Sequence, residues 1–149
     1  MAVDWQELRR GLARARPFLL SHHLPAEYDR CYAPVVWGRT IRVCARCVGI
    51  YPGILVGLWA AFAAPESLGH VLLVAVLPLP ALLDWSLDAL TPWEGSNPGR
   101  TGTGFLLGYG YGLGLVHLFV RGTLAVVVVG VGYGVLAAVL LSYHDSQRE

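Results

Sequence analysis

Three cysteines and a histidine near the start of the chain have the residue types of a metal site. Cys44 and Cys47 are separated by two residues, and His22 and Cys31 precede them. A turn with this spacing can present two thiolates to one ion, and structural zinc takes four Cys or His ligands in a tetrahedron. The sequence therefore predicts a zinc site formed by His22, Cys31, Cys44 and Cys47. His23 is an equally acceptable ligand on chemical grounds.

Two other interpretations of the cysteines stay open. Cys44 and Cys47 match the spacing of a redox-active dithiol, and all three cysteines are compatible with inert thiols. Because the arginine distribution described below predicts a cytosolic position for this region, a permanent disulfide is not expected there.

A second group of residues that could do chemistry follows an apolar segment. Asp84 and Asp88 are one helical turn apart, and ionisable groups near membrane depth are costly enough to indicate a function. An enzyme interpretation makes Asp84 the acid/base or metal-binding group and Arg100 the group that grips an anion. Further ligand contacts are expected from nearby polar residues: Asp88, Ser96, Asn97 and Arg46. The structural alternative pairs the carboxylates with arginines and uses Ser96 or Asn97 as a helix cap.

The composition indicates the environment in which these residues work. Of the 149 residues, 55% are hydrophobic and 14% are charged, and the mean hydropathy is +0.53. A soluble domain has about a quarter of its residues charged, so the sequence predicts a membrane protein. A net charge of +1 provides no basic stripe, and we therefore expect no nucleic-acid partner.

Four apolar segments predict a polytopic, all-α membrane protein with about four transmembrane helices. They cover approximately residues 48–64, 68–87, 102–120 and 123–142. Each approaches the roughly 20 residues that a helix needs to cross the hydrocarbon core, and the first does so only if residues 44–47 or Pro65 extend it. The short joins at 65–67 and 121–122 predict antiparallel neighbours. Pro78 and Pro80 predict a kink in the second segment.

The regions outside the bundle complete the predicted organisation. Residues 4–20 alternate apolar and arginine positions with helical spacing, which predicts an amphipathic helix in the headgroup region, with packing on the rest of the protein as the alternative. Pro17 is expected to bend or end this helix. The domain prediction is therefore a cytosolic helix and Cys/His cap at 1–47, a transmembrane bundle at 48–142 and a short cytosolic tail at 143–149.

The arginines predict the orientation in the cell membrane. With an even number of spans, the N-terminal region, the 88–101 loop and the C-terminal tail share one side, which holds ten of the eleven arginines. Short loops rich in arginine stay cytosolic, so both termini are expected in the cytosol. The cysteines and the polar loop would then lie at the same face and could form one site.

Glycines at every fourth residue predict close helix packing within the membrane. The repeats occur in three of the apolar segments: Gly49, Gly53 and Gly57; Gly104, Gly108 and Gly112; Gly130 and Gly134. Whether these stripes meet each other or a second subunit stays open, so an oligomer is a possible outcome.

Several of these motifs resemble one family of small membrane proteins, the domain of unknown function 2085. The motifs that carry the resemblance span approximately residues 21–114: Ser21-His22-His23, residues 43–53 with the two cysteines, Asp84, Ser96-Asn97, Arg100 and Thr103-Gly104. The first motif usually begins Cys-His-Gln in that family, so Ser21 and His23 depart from the pattern, and Cys31 is the candidate replacement ligand. The resemblance implies a multi-span membrane fold and favours His22 over His23, but it implies no chemistry.

Two functions follow as alternatives. The first is an enzyme at the membrane interface that acts on an anionic lipid or metabolite, beside a structural zinc. The second is a non-enzymatic membrane scaffold or partner-binding subunit with a structural metal cap. The lipid bilayer is the expected partner in both cases. A transporter is disfavoured because the middle of the apolar segments lacks charged residues.

Overall fold

The computed structural model describes residues 5–20, 23 and 25–146. His22 therefore lies outside the described residues. The chain separates into two compact units, residues 1–45 and residues 46–149, which are considered in turn.

The N-terminal unit begins with the predicted amphipathic helix. Helix α1 covers Trp5–Leu20, and its exposed Trp5, Leu8 and Leu12 recur at the spacing that places them on one face. The helix continues through Pro17 to Leu20, so this proline does not end it. A 3-10 helix, Pro25–Arg30, follows.

Residues 31–44 form an antiparallel β-ribbon, which corrects the all-α prediction. Its strands are β1 (Cys31–Tyr32), β2 (Val35–Val36), β3 (Arg39–Thr40) and β4 (Val43–Cys44). β1 pairs with β4 and β2 with β3 in one continuous register, and the Ile41 amide donates to the Pro34 carbonyl between the two pairs at 3.0 Å. Trp37 and Gly38 form the two-residue hairpin loop. Short β-branched runs on either side of a two-residue turn favour this pairing.

The C-terminal unit is helical. Its elements are α2 (Ala45–Ala63), α3 (Glu66–Gly69), α4 (Leu72–Val76), α5 (Leu79–Leu90), α6 (Asn97–Phe119) and α7 (Ala125–Ser146). Within the described part of the chain, three stretches are long and apolar enough to cross a membrane: Ala45–Ala63, Leu72–Leu90 and Ala125–His144. The length and apolarity of these helices confirm the prediction of a membrane protein. The remaining predicted segment, 102–120, corresponds to α6, which does not reach this apolarity and contains seven glycines together with Asn97, Arg100 and His117.

The second segment is divided at Leu77 and Pro78, between α4 and α5, because Pro78 and Pro80 lack the amide of a regular helix. Leu77 and Pro78 keep helical φ and ψ, and the predicted kink stays a prediction. Backbone carbonyls of α3 and α4 also accept hydrogen bonds from side chains of neighbouring helices. Tyr109 Oη donates to the Leu68 carbonyl at 2.7 Å, and Tyr133 Oη donates to the Ala75 carbonyl at 2.5 Å. Side chains of α6 and α7 thus stabilise the broken segment.

A buried histidine also forms a hydrogen bond with the backbone of this segment. His117 is buried in α6, and its Nε2 donates to the Gly69 carbonyl at 2.8 Å. The arrangement is that of a hydrogen-bonded histidine in a packed core. Nearby, the Arg121 guanidinium donates to the Ala61 carbonyl at 2.6 Å near the end of α2.

Helices α2 and α6 are parallel and touch along their glycine stripes. A Cβ added to Gly49, Gly53 or Gly57 would overlap the carbonyl oxygens of residues 101, 105 and 109 in that order. The contact is reciprocal, because a Cβ at Gly104, Gly108 or Gly112 would overlap carbonyl oxygens of residues 46, 50 and 54. The two stripes therefore meet each other within one chain. The α7 stripe differs, since nothing lies within 4 Å of a Cβ added at Gly130 or Gly134.

Candidate functional site

The polar residues predicted to act together lie at one end of the helical unit. Arg46 is in the first turn of α2, Asp84 and Asp88 are in the second half of α5, and Arg100 is in the first turn of α6. Because α2 and α6 are parallel, their starts lie at the same end, where α5 finishes. We refer to the six side chains that meet there as the Arg/Asp cluster: Arg46, Asp84, Asp88, Asn97, Arg100 and Thr103.

Arg100 forms the most buried ion pair of the cluster. Its Nη2 donates to Asp88 Oδ1 at 2.9 Å and to the Glu94 carbonyl at 3.2 Å, while its Nη1 lies 3.4 Å from Asn97 Oδ1. The side chains of Arg100 and Asp88 are only 6% and 8% exposed. Charges this far from water need a partner, and each provides it for the other.

Asp84 forms the second ion pair. Its Oδ2 accepts from Arg46 Nη2, and the Thr103 hydroxyl lies 3.4 Å from the same oxygen. Both side chains are largely buried. The Arg46 Nε differs from the rest of the guanidinium. Among the buried side-chain nitrogen and oxygen atoms of the described residues, it alone has no hydrogen-bond partner.

The loop before α6 positions Arg100. Ser96 is the N-cap residue of α6, and its Oγ accepts from the Gly99 amide at 3.2 Å. Gly95 has a φ of 42°, which brings the chain around the guanidinium, and a Cβ there would lie 3.4 Å from Arg100 Nη2. The capping role that the structural alternative gives to Ser96 is therefore present.

This geometry determines what the cluster can do chemically. All six residues predicted for the catalytic and ligand-binding site are in this region: Asp84, Arg100, Asp88, Ser96, Asn97 and Arg46. Their charges are already matched in two arginine–aspartate pairs. Arg100 donates to Asp88, to the Glu94 carbonyl and toward Asn97, so its guanidinium is held by groups of the protein itself. The arrangement joins the ends of α2, α5 and α6.

The structure brings together two of the four predicted metal ligands. Cys31 and Cys44 are directly opposite in the β1–β4 pair, and both are buried. Side chains of directly opposed residues project from the same face of a ribbon, so the two thiols are neighbours. Within residues 5–20, 23 and 25–146, no group of three or more His, Cys, Asp or Glu side chains is placed to hold a metal ion. The zinc site at His22, Cys31, Cys44 and Cys47 stays a prediction.

Sequence reasoning missed two parts of this region. It did not identify the Glu94 carbonyl as an acceptor for Arg100, because a backbone contact leaves no residue-type signal. It also predicted no β-strand in residues 31–44. Val35 and Val36 before Trp37-Gly38, and Thr40 and Ile41 shortly after it, are the β-branched signal that could have identified the hairpin.

Three apolar helices of membrane-crossing length define this chain as a membrane protein. The family described as "Predicted membrane protein (DUF2085)" matches residues 31–114, which is more than half of the chain, and the protein belongs to this family. The family resemblance inferred from the sequence is thereby confirmed, although the Ser21-His22-His23 motif precedes the matched residues. No curated protein and no solved structure has significant similarity to the chain.

Proposed function

We propose that this protein is a four-span, non-enzymatic membrane scaffold or subunit whose Arg/Asp cluster holds its helices together. The observation that supports this most directly is the buried Arg100–Asp88 pair, in which the guanidinium is held by a carboxylate, an amide side chain and a backbone carbonyl. A substrate-binding arginine needs donors that point into an open site. Here the donors connect the start of α6 with the end of α5.

The contact between α2 and α6 supports a fourth span. Because α2 is apolar enough to cross the membrane and its glycines touch α6 backbone from residue 101 to residue 109, the two helices occupy the same depth. Glycine lowers mean hydropathy without adding charge, and smooth glycine faces are typical of packed transmembrane helices. We therefore count α6 as a span. Both termini would then lie on the arginine-rich, cytosolic side of the cell membrane.

This topology has a direct test. Single reporter cysteines in a cysteine-free background, placed at Trp93 and at Gly122, should react with a membrane-impermeant maleimide from opposite sides of the membrane. Labelling of both positions from the same side would contradict the fourth span.

An experiment on the cluster separates a scaffold from an enzyme. Arg100→Gln and Asp84→Asn should each reduce severalfold the fraction of protein recovered as a single species in mild detergent, because each leaves a buried charge unpaired. Arg9→Gln is the matched control, since Arg9 is exposed on α1. Normal assembly of both cluster variants, together with a changed lipid or metabolite profile in cells, would instead establish the enzyme.

The enzyme remains the competing proposal, in which Asp84 acts as acid/base on an anionic lipid or metabolite. The observation in its favour is the unpartnered Nε of Arg46, which could donate to a small anion. Its weakness is that Asp84 already accepts from Arg46. The Asp84→Asn comparison above distinguishes these two roles because only the enzyme predicts intact assembly with lost product.

A structural zinc ion is an additional proposal for the N-terminal unit. The pairing of Cys31 with Cys44 supports it, because residues far apart in the sequence arrive as neighbouring buried thiols. Cys47 and His22 would complete the shell. Metal analysis of detergent-purified protein should find close to one zinc ion per chain, and Cys31→Ser and Cys44→Ser should both remove it. Equal metal content in wild type and both variants would exclude this site.

A further inference from the structure

The tip of the 31–44 ribbon carries a tryptophan that its own fold does not explain. Trp37 is 97% exposed. Its φ is 49° and that of Gly38 is 71°, so both residues of the hairpin loop have left-handed backbone. Such a two-residue loop favours Asn-Gly, and a bulky aromatic residue at positive φ is an outlier. The sequence thus places an apolar ring in water and in an unfavourable conformation.

The residues around Trp37 have the character of a membrane interface. Val35 and Val36 are exposed on the preceding strand, and Arg39, which pairs directly with Val36, is exposed on the next. Arg42 differs, because its guanidinium lies 4.0 Å from the centroid of the Tyr28 ring. Tryptophan and arginine are the residue types that anchor proteins at the level of lipid headgroups.

The position of the ribbon in the chain brings a bilayer within its reach. β4 ends at Cys44, and the apolar helix α2 begins at the next residue, Ala45. Ala45 is eight positions after Trp37, which is at most about 28 Å of extended chain. The tip therefore cannot lie far from the surface at which the chain enters the membrane.

The charge of the N-terminal unit indicates the kind of lipid. Residues 1–45 contain seven arginines and four acidic residues. This excess of positive charge is attracted to the anionic headgroups of the cytoplasmic leaflet. A two-stranded ribbon by itself is only marginally stable in water. Contact between its tip and a membrane surface would therefore stabilise the ribbon.

We propose that the segment Val35–Arg39 is a membrane anchor in which Trp37 enters the headgroup region of an anionic bilayer. The indole ring leaves water, and the Arg39 guanidinium binds lipid phosphate. The anchor fixes the ribbon, with Cys31 and Cys44 at its base, against the membrane surface. It acts in addition to the transmembrane helices and does not depend on a metal ion.

Bromine quenching in nanodiscs tests this anchor with the full-length protein. The emission of Trp37 is obtained as wild type minus Trp37→Phe, in discs of phosphatidylcholine and phosphatidylglycerol with or without bromine at carbons 6 and 7 of the acyl chains. Brominated lipid should reduce this emission at least twofold, and aqueous iodide should reduce it less. Trp59→Phe provides the control, because Trp59 is in the apolar helix α2 and its emission must also be quenched by bromine.

The quenching results test the anchor and the role of Arg39 separately. If iodide quenches Trp37 and brominated lipid does not, the tip is in water and the anchor is excluded, which leaves a protein partner as its occupant. Arg39→Gln should weaken the bromine effect in discs that contain phosphatidylglycerol and leave it unchanged in pure phosphatidylcholine. An equal effect of Arg39→Gln in both lipids would overturn the role of the net negative headgroup.

Discussion

Two glycine stripes with the same spacing have opposite environments in this protein. Gly49, Gly53 and Gly57 of α2 lie directly against the backbone of α6, where an added Cβ would overlap carbonyl oxygens. Gly130 and Gly134 of α7 have no atom within 4 Å of an added Cβ. A four-residue glycine repeat therefore shows that a helix face is smooth, and it does not show what that face contacts.

The difference between the stripes explains how the helical unit is held together. α2 and α6 approach through their backbones over several turns, and the Arg/Asp cluster joins the starts of these helices to α5. α7 contacts the bundle through side chains such as Tyr133, and its apolar outer residues are exposed. We infer that α2 and α6 form the rigid part of the bundle, whereas α7 is a peripheral helix that faces lipid.

The largest effect on stability is expected where the glycine stripes of α2 and α6 meet. Gly53→Ala places a methyl group on the Phe105 carbonyl, and Gly108→Ala places one on the Ile50 carbonyl. Each substitution should lower the free energy of unfolding by about 3 kcal/mol, the upper part of the range for overpacked interiors, because backbone atoms cannot move aside as side chains can. Unfolding by SDS in mixed micelles measures this change. Wild-type stability in both variants would show that α2 and α6 are not in backbone contact.

An intermediate effect is expected where α7 meets the broken segment. Tyr133→Phe removes the hydrogen bond to the Ala75 carbonyl and should lower the free energy of unfolding by about 1 kcal/mol. Tyr111→Phe is the matched control, since Tyr111 is exposed on α6. The same unfolding titration applies to both variants. Equal losses in the two would indicate that the Tyr133 hydroxyl does not support the Ala75 carbonyl.

The smallest effect on stability is expected at the glycine stripe of α7. Gly134→Ala should raise the free energy of unfolding by about 0.5 kcal/mol, because alanine has the higher helix propensity and the new methyl group meets no other atom. Light scattering of the purified variant should show the same mass per particle as wild type. A destabilised variant, or one with a changed number of subunits, would mean that a second chain packs on this face of α7.

The sequence predicted the helices well because length and apolarity determine which segments can cross a bilayer. The helices lie close to the predicted segments, and the interruption at Leu77 and Pro78 follows from the missing amide of proline. The partner of each glycine stripe was not predictable, because the stripes in α2, α6 and α7 have similar spacing. Tertiary packing alone distinguishes them.

The Arg/Asp cluster was predicted as a set of residues but not as a set of pairs. Asp84 and Asp88 were recognised from their spacing, and both Arg46 and Arg100 were candidates to neutralise them. The parallel arrangement of α2 and α6 decides that Arg46 binds Asp84 and Arg100 binds Asp88. Cys31 and Cys44 were predicted as members of one ligand set, but their direct pairing across two strands was not, since strand register is a long-range property.

A double-mutant cycle on Arg100 and Asp88 tests the central claim that the Arg/Asp cluster holds the helices together. Arg100→Gln and Asp88→Asn should each lower the free energy of unfolding in mixed micelles by about 3–5 kcal/mol, because each leaves a buried charge unpaired. The double variant has no unpaired charge, so its loss should be well below the sum of the two single losses. If the two losses are small and simply add, the residues are not coupled and the cluster does not hold the bundle together.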